Sequence, residues 1–423
     1  MNLKILKSQS LILLSLIFVF CLIFFEAPPR LRKFYLKNVL KFEKIFCKNL
    51  TIKNINFDYG PCPNTKYFRE GDPNDENLNS TVIYTDSIGG RVDKFSKGKI
   101  FNSEDYKIYL IGDSFIHATA IPYQETVYGI INKFRDSSKQ KAYGFGMGSW
   151  TSKEYLQSIK AINAKKSSYD VFLFANDFTP HDHRARIRLD SKEKISNQVE
   201  PVSKKTNNSK NKIKNINDVL TLLANKTYTF NKIREIYFSF KLKRRYKDNI
   251  SLTQFTKKNR NDCSFIGTFE NKVPKYMFDY LVLNLPYNCW GQIYKDTYQL
   301  VLNDMKEMIK EAKKRDSKIR FIYIPPGFSF KGEFFPGRNY YKNYGPGIPS
   351  DKELKLKGLT AKLSSDIRDK FINLDYPIQL ALDKYKFNND CKKGKCNNIL
   401  YFANDGHLNS KGHQFLYEYL YEN

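Results

Sequence analysis

Two short polar clusters near opposite ends of the chain carry residue types suited to acyl transfer through a covalent intermediate. The first is Gly112-Asp113-Ser114-Phe115, directly after the apolar run Ile108-Tyr109-Leu110-Ile111. A serine placed there stands at the start of the following helix, where backbone N–H groups help hold a developing oxyanion. The second is Asn404-Asp405-Gly406-His407-Leu408-Asn409, ahead of an amphipathic helix predicted over Gln414 to Tyr421. An aspartate two residues before a histidine can turn back to accept its Nδ1 proton, which leaves Nε2 to take the proton of a serine. Taken singly the clusters say less. A lone G-D-S is a weak signal, and a lone His407 reads equally as a surface or helix-capping residue. His181-Asp182-His183 has no cysteine and no spaced third ligand nearby, so it reads as solvated and no metal or cofactor is expected. His117, three residues after Ser114, reads as a residue that lines the pocket or packs beneath it.

These clusters need elements to bring them together. Lys107 to Ile111, Val171 to Phe174, Ile319 to Ile324 and the shorter Phe371 to Leu374 are apolar runs of strand length. Helical stretches alternate with them, at Glu125 to Phe134 and, most strongly, Tyr294 to Lys314. Such alternation predicts a parallel sheet covered on both faces, a flavodoxin-like α/β core. In open parallel sheets ligand chemistry collects at the carboxyl ends of the strands, and that is where the polar clusters fall. A segment over residues 184–290 interrupts the pattern and reads as an inserted cap, with one helix near Ile216 to Leu223. A Gly-, Pro- and Tyr-rich loop from Gly327 to Pro349 reads as a further surround of the site.

Together the clusters resemble the SGNH/GDSL hydrolase family, in order and spacing, across about Tyr106 to Tyr421. Gly112-Asp113-Ser114-Phe115 followed by Ile121-Pro122-Tyr123-Gln124-Glu125-Thr126 looks like the first block of bacterial members. Gly144-Phe145-Gly146-Met147-Gly148-Ser149 is similar to the glycine block, with Gly144 in place of the usual asparagine and Ser149 on the last glycine. Ala175-Asn176-Asp177-Phe178 resembles the third block, and Asp405-Gly406-His407-Leu408-Asn409 the closing D-x-H-L-N. The resemblance implies a three-layer α/β/α sandwich in which Ser114 attacks an ester carbonyl. His407 acts as base and then acid, and Asp405 fixes its tautomer. The oxyanion would be held by the Ser114 N–H, the Gly148 N–H and the Asn176 amide, and no metal is needed.

The chain begins differently. Leu11 to Phe25 is apolar apart from Ser15, preceded by Lys4 and Lys7 and followed by Glu26-Ala27-Pro28-Pro29 without a small-residue cleavage pattern. An uncleaved transmembrane helix is expected, with a cleaved signal peptide as the alternative; the helix extends backward toward Ile5 to reach a span of about 20 residues. The flanking Arg30, Arg32 and Lys33 give orientation no clear vote. The expected plan is a cytoplasmic tip and anchor over 1–27, a loop-dominated stem over 28–105, and the enzyme domain over 106–423 with its insert at 184–290. Besides Cys21 in the apolar run, six cysteines pair by sequence proximity as Cys47 with Cys62, Cys263 with Cys289, and Cys391 with Cys396. Three bridges would place the domain in an oxidising, extracytoplasmic compartment, periplasmic or cell-surface.

With 423 residues, 41% hydrophobic and 15% aromatic, the chain can bury a sizeable core, which excludes a small stapled module or a disordered chain. The net charge is +28, and residues 184–262, with about 21 basic and 7 acidic side chains, supply half of it. Solvated surface lysines account for such an excess in a Lys- and Asn-rich chain. The second reading is a surface for anionic polymers or lipid head groups. Nucleic acid is not expected, as no zinc-finger, helix-turn-helix or RNP-like pattern is present. Three functions remain in view: an esterase removing O-acyl, above all O-acetyl, groups from an envelope glycan or lipid; a polysaccharide O-acyltransferase using the same triad; and a catalytically silent glycan-binding scaffold.

Overall fold

The structure is a computed structural model that describes residues 46–70, 80–94, 100–134, 141–180, 183, 263, 275–327, 358–385, 400–402 and 407–422. These all belong to the unit formed by Glu43–Asn197 and Asn249–Asn423. A second unit, Met1–Phe42 with Gln198–Asp248, lies outside the described residues, and with it the apolar run Leu11 to Phe25, the helix expected near Ile216 and most of the basic segment. Among the described residues no helix is long and apolar enough to cross a membrane.

In chain order the strands are β1 (Phe46–Ile52), β2 (Ile55–Pro61), β3 (Lys66–Arg69), β4 (Thr81–Thr85), β5 (Arg91–Val92), β6 (Ile108–Gly112), β7 (Ala142–Gly146), β8 (Ser168–Leu173), β9 (Lys318–Tyr323) and β10 (Phe371–Asn373). The helices are α1 (Ser114–His117), α2 (Val127–Phe134), α3 (Ser152–Ile162), α4 (Lys275–Asn284), α5 (Gln292–Lys313), α6 (Leu359–Ile367), α7 (Asp375–Tyr385) and α8 (Ser410–Tyr421). β6 to β10 form one sheet in the order β10-β9-β8-β6-β7, every pairing parallel. Counted from its first strand this is the order 2-1-3-4-5 of flavodoxin-like sheets.

Side chains of a strand alternate between faces, and the sheet sorts them accordingly. Tyr109 and Ile111 of β6, Tyr169 and Val171 of β8, and Ile319 and Phe321 of β9 enter one core, with Tyr155 and Ile159 of α3 and Val301 and Met305 of α5. Ile108 and Leu110, Phe172 and Ile322 enter the other, with Val127 and Ile131 of α2, Ile378 of α7 and Leu416 of α8. Helices therefore cover both faces, which gives the three layers. Tyr280 to Leu283, Leu285 and Trp290 join the first core, so the last part of the segment expected as an insert packs with the sheet.

The described residues between 46 and 92, part of the stem expected to be loop-dominated over 28–105, instead form two antiparallel sheets, β1-β2 and β3-β4-β5. Gly60 and Pro61 are themselves part of β2, paired with Cys47 and Phe46. Leu50, Ile52, Phe57, Ile83 and Ile88 are buried in the first core. At roughly 2 kcal/mol per buried side chain this contributes on the order of 10 kcal/mol, as much as the net stability of a typical domain. The segment is thus part of the folded body. Cys47 is bridged to Cys62 across the β1-β2 hairpin, and Cys263 to Cys289. Cys391 and Cys396 lie outside the described residues.

Candidate active site

The sheet order reverses at β6: β7 lies on one side of it and β8 on the other. At such a switch point the connections leave in opposite directions and open a crevice at the carboxyl ends. Ser114 follows β6, Gly148 follows β7 and Asn176 follows β8, so the topology brings all three to that crevice.

The serine turn is fixed locally. Asp113 caps α1, its Oδ1 accepting the Phe115 N–H at 2.9 Å. Gly146 is required beside it, because a Cβ there would lie 2.6 Å from the Gly112 carbonyl oxygen and 2.8 Å from that of Asp113. Only a residue without a side chain lets β7 end so close to the serine turn. Gly148 is less constrained, for its added Cβ would meet only the Ser114 Cβ, at 3.7 Å.

His407 reaches the same place from the far end of the chain. Its own carbonyl accepts the Phe402 N–H at 2.8 Å, Tyr401 and Leu408 form an isolated antiparallel bridge, and the Asn409 N–H donates to the Leu400 carbonyl at 3.0 Å. Asn409 then caps α8, its Oδ1 accepting the Gly412 N–H at 3.0 Å. This fold-back sets His407 Nε2 2.7 Å from Ser114 Oγ, a hydrogen bond between residues 293 apart in sequence. The imidazole packs on the Phe115 ring at 4.7 Å, and Phe115 stacks on Phe174 at 4.0 Å. Apolar rings thus limit how the histidine can turn. Asp405 lies outside the described residues.

Asn176 sits exposed on a single 3-10 turn after β8. Its neighbour Asp177 is buried and holds that turn, accepting the Phe174 N–H at 2.8 Å and the Tyr155 hydroxyl at 3.0 Å. Burial, chiefly, and the adjacent Asp177 carboxylate push the Tyr155 phenol well above its ordinary pKa, so it stays a donor. His183, expected to be solvated, is fully buried with Nε2 2.6 Å from the Asp177 carbonyl oxygen. The buried ring braces the Asn176 turn through that contact, which takes it out of solvent. His181 and Asp182 lie outside the described residues, and no group of three metal-ligating side chains occurs among the described ones.

His117 is buried, as its packing role requires. Burial, then the charges of Arg91 and Arg69, lower its pKa to about 3. His413, which was not singled out in the sequence, is also buried; its Nδ1 accepts the Val127 N–H at 3.2 Å and joins α8 to α2. Burial, followed by Arg91 and His407, lowers its pKa to about 3 as well. Both rings are neutral at physiological pH. Among the described histidines, His407 is the one that contacts Ser114.

The fold and the site define an α/β protein with an open parallel sheet whose switch point carries a hydrogen-bonded serine and histidine. No protein-family model matches the chain, and no curated protein matches it. Among solved structures it is similar to a crystal structure of a member of the lipolytic protein G-D-S-L family from Veillonella parvula DSM 2008. The identity is 10%, over 75% of this chain and 98% of that one, with a TM-score of 0.29. A likeness that slight bears on neither mechanism nor substrate.

Proposed function

We propose that the protein is a serine esterase of the SGNH/GDSL type, acting on O-acyl esters of an envelope glycan or lipid outside the cytoplasm. The observation that carries this reading is the 2.7 Å contact between Ser114 Oγ and His407 Nε2 at the switch point of the sheet. A serine hydroxyl is a weak nucleophile until an adjacent base takes its proton. Here the base stands at hydrogen-bond distance, with its ring fixed between Phe115 and the Leu400–Asn409 fold-back.

In the proposed reaction Ser114 Oγ attacks the ester carbonyl carbon while its proton passes to His407 Nε2. The carbonyl oxygen becomes an oxyanion, received by the N–H groups of Ser114 and Gly148 and the Asn176 amide. Collapse of the tetrahedral intermediate breaks the bond to the alcohol oxygen, which takes the proton from His407 and leaves an acyl-Ser114 ester. Water, deprotonated by His407, releases the carboxylic acid; a sugar hydroxyl in its place would yield a transferred acyl group. Asp405, two residues before His407, is assigned the role of accepting the Nδ1 proton.

The two bridges Cys47–Cys62 and Cys263–Cys289 favour an oxidising compartment. Residues 1–27 are proposed as the membrane tether of this domain, and the basic stretch within 184–290 as its contact with anionic polymer or lipid head groups.

The test is labelling of the full-length protein in detergent by a fluorophosphonate. The parent labels, and Ser114→Ala and His407→Ala do not. Equal labelling of all three would overturn the serine mechanism. Turnover of p-nitrophenyl acetate with and without a glycan acceptor then separates hydrolysis from transfer, and glycan binding without any acyl chemistry would leave only a scaffold.

A further inference from the structure

We infer that Arg91 is a positioning residue for Ser114, acting from a sheet outside the α/β core on the short helix that carries the nucleophile. This rests on the assignment of Ser114 above, and goes beyond it by giving the N-terminal sheets a part in the reaction.

α1 has four residues, too few to satisfy its own ends. Its N-terminus is closed by Asp113. At its C-terminus Ala118 adopts a left-handed conformation, φ 47° and ψ 44°, which a residue with a Cβ holds only when its surroundings enforce it. Arg91 is what surrounds it. One guanidinium nitrogen donates to the carbonyls of His117, at 3.2 Å, and of Ala118, and the other donates to the carbonyl of Ile121. Arg69 on β3 grips the same turn through Thr119 Oγ1.

Arg91 is buried, and among the described residues no carboxylate pairs with it. A buried cation without an anion is costly unless dipoles compensate it, and the carbonyls at the end of α1 are the dipoles on offer. The helix therefore carries an acidic cap at its start and a cation at its end, both in the sense its dipole favours. Lysine could not do the same work, since a single ammonium lacks the fork that spans three carbonyls.

The chain before Arg91 is shaped to deliver it. The Asp86 Oδ1 accepts the N–H groups of Ile88 and Gly90, each at 3.0 Å, and its Oδ2 accepts the Tyr143 hydroxyl at 2.8 Å. A Cβ on Gly90 would fall 1.7 Å from that hydroxyl oxygen, so glycine is needed for β5 to approach β7. Arg91 thereby links three parts of the site, the Asp86 loop on β7, the turn after α1, and through α1 the serine itself.

The test compares full-length parent, Arg91→Ala, Arg91→Lys and Ile83→Val in detergent, by rate of Ser114 phosphonylation, kcat and KM for p-nitrophenyl acetate, and folded fraction by thermal melt. Ile83 is buried in β4 and belongs to the first core, a different cluster from that of Ala118 and Ile121, so its variant lowers the melting temperature and leaves the rate per folded molecule unchanged. Both Arg91 variants should lose roughly 10- to 100-fold in kcat and labelling rate per folded molecule with KM little altered, as expected for a misplaced nucleophile. A parent rate per folded molecule in Arg91→Lys, or a loss in both variants fully matched by the folded fraction, overturns the proposal. Failure of the parent itself to label would instead overturn the assignment of Ser114.

Discussion

The hydroxyl of Tyr421, in the last turn of α8, donates to the carboxylate of Asp170 in the middle of the sheet at 2.6 Å. Asp170 is wholly buried in β8 and also takes two bonds from Arg320 on the neighbouring strand, at 2.8 Å and 2.7 Å. Those bonds hold the Arg320 guanidinium more firmly protonated than usual, against the opposing effect of burial. The triad of side chains fixes the end of the helix whose start lies three residues after His407. Asp170→Ala strips a partly buried cation of its partner and should cost about 3 kcal/mol, whereas Tyr421→Phe should cost about 1 kcal/mol. Urea unfolding of the two variants checks the ranking, and equal losses would show that the phenol, not the ion pair, anchors α8.

Two glycines of one block should respond in opposite ways to alanine. At Gly146 the added methyl group runs into the carbonyl oxygens of Gly112 and Asp113, both backbone atoms that cannot swing away. Gly146→Ala should therefore displace the Ser114 turn and lower kcat by 100-fold or so, a figure typical of a misplacement of about 1 Å. At Gly148 the methyl group meets one atom at ordinary contact distance, and Gly148→Ala should stay within a few-fold of the parent. Steady-state kinetics on both variants decide it; a Gly148→Ala enzyme that folds but is as inactive as Gly146→Ala would mean that substrate occupies the space beside Ser114.

The contrast between these glycines also shows how far the sequence could be read. β6, β8 and β9 announce themselves because strands buried on both faces are continuous apolar runs, as in Tyr109-Leu110-Ile111. β7 does not, since Ala142-Tyr143-Gly144-Phe145-Gly146 puts glycine where branched residues usually mark a strand. The structure gives the reason: a Cβ on Gly144 would lie 2.3 Å from the Tyr128 ring, so the strand gave up side chains for the close approach of α2. The meeting of Ser114 with His407 was legible because the chemistry proposed for them constrains residue type and setting. Arg91 and His413 were not, because their contacts are to backbone groups, the carbonyls of residues 117, 118 and 121 and the N–H of Val127, which leave no mark in residue identity. The N-terminal sheets were missed for a related reason. Their strands are short, and Leu50, Ile52 and Phe57 reveal an apolar face only once a partner surface exists to bury it.

If Asn176 supplies an oxyanion donor, its loss should appear in the chemical step and not in binding. Asn176→Ala is expected to lower kcat on p-nitrophenyl acetate by on the order of 10² to 10³ with KM nearly constant. Asn176 is exposed and the turn beneath it is held by Asp177, so the variant should unfold at the parent's urea concentration. A fall in kcat below threefold would remove Asn176 from the mechanism and leave the backbone N–H groups alone at the oxyanion.

Two of the buried histidines, His117 and His413, give stability a pH dependence whose sign is fixed. His117 and His413 each have a pKa of about 3 in the folded protein against an ordinary value of 6.5. Above 6.5 both states are neutral at these rings and nothing is gained or lost. Below it the unfolded chain binds protons that the folded chain refuses, so stability falls as pH drops from about 6.5 toward 3, by up to about 1.4 kcal/mol per pH unit for each ring. Carboxylates begin to contribute near pH 5, and the clean interval is therefore 6.5 down to 5. His413→Asn keeps an acceptor near the position of Nδ1 for the Val127 N–H but cannot titrate. Urea midpoints at pH 7.5, 6.5, 5.8 and 5.2 should show the parent losing stability through this interval more steeply than the variant, by up to about 1.4 kcal/mol per pH unit. Parallel slopes would mean that His413 gains a proton without unfolding, and that the joint between α8 and α2 opens to admit it.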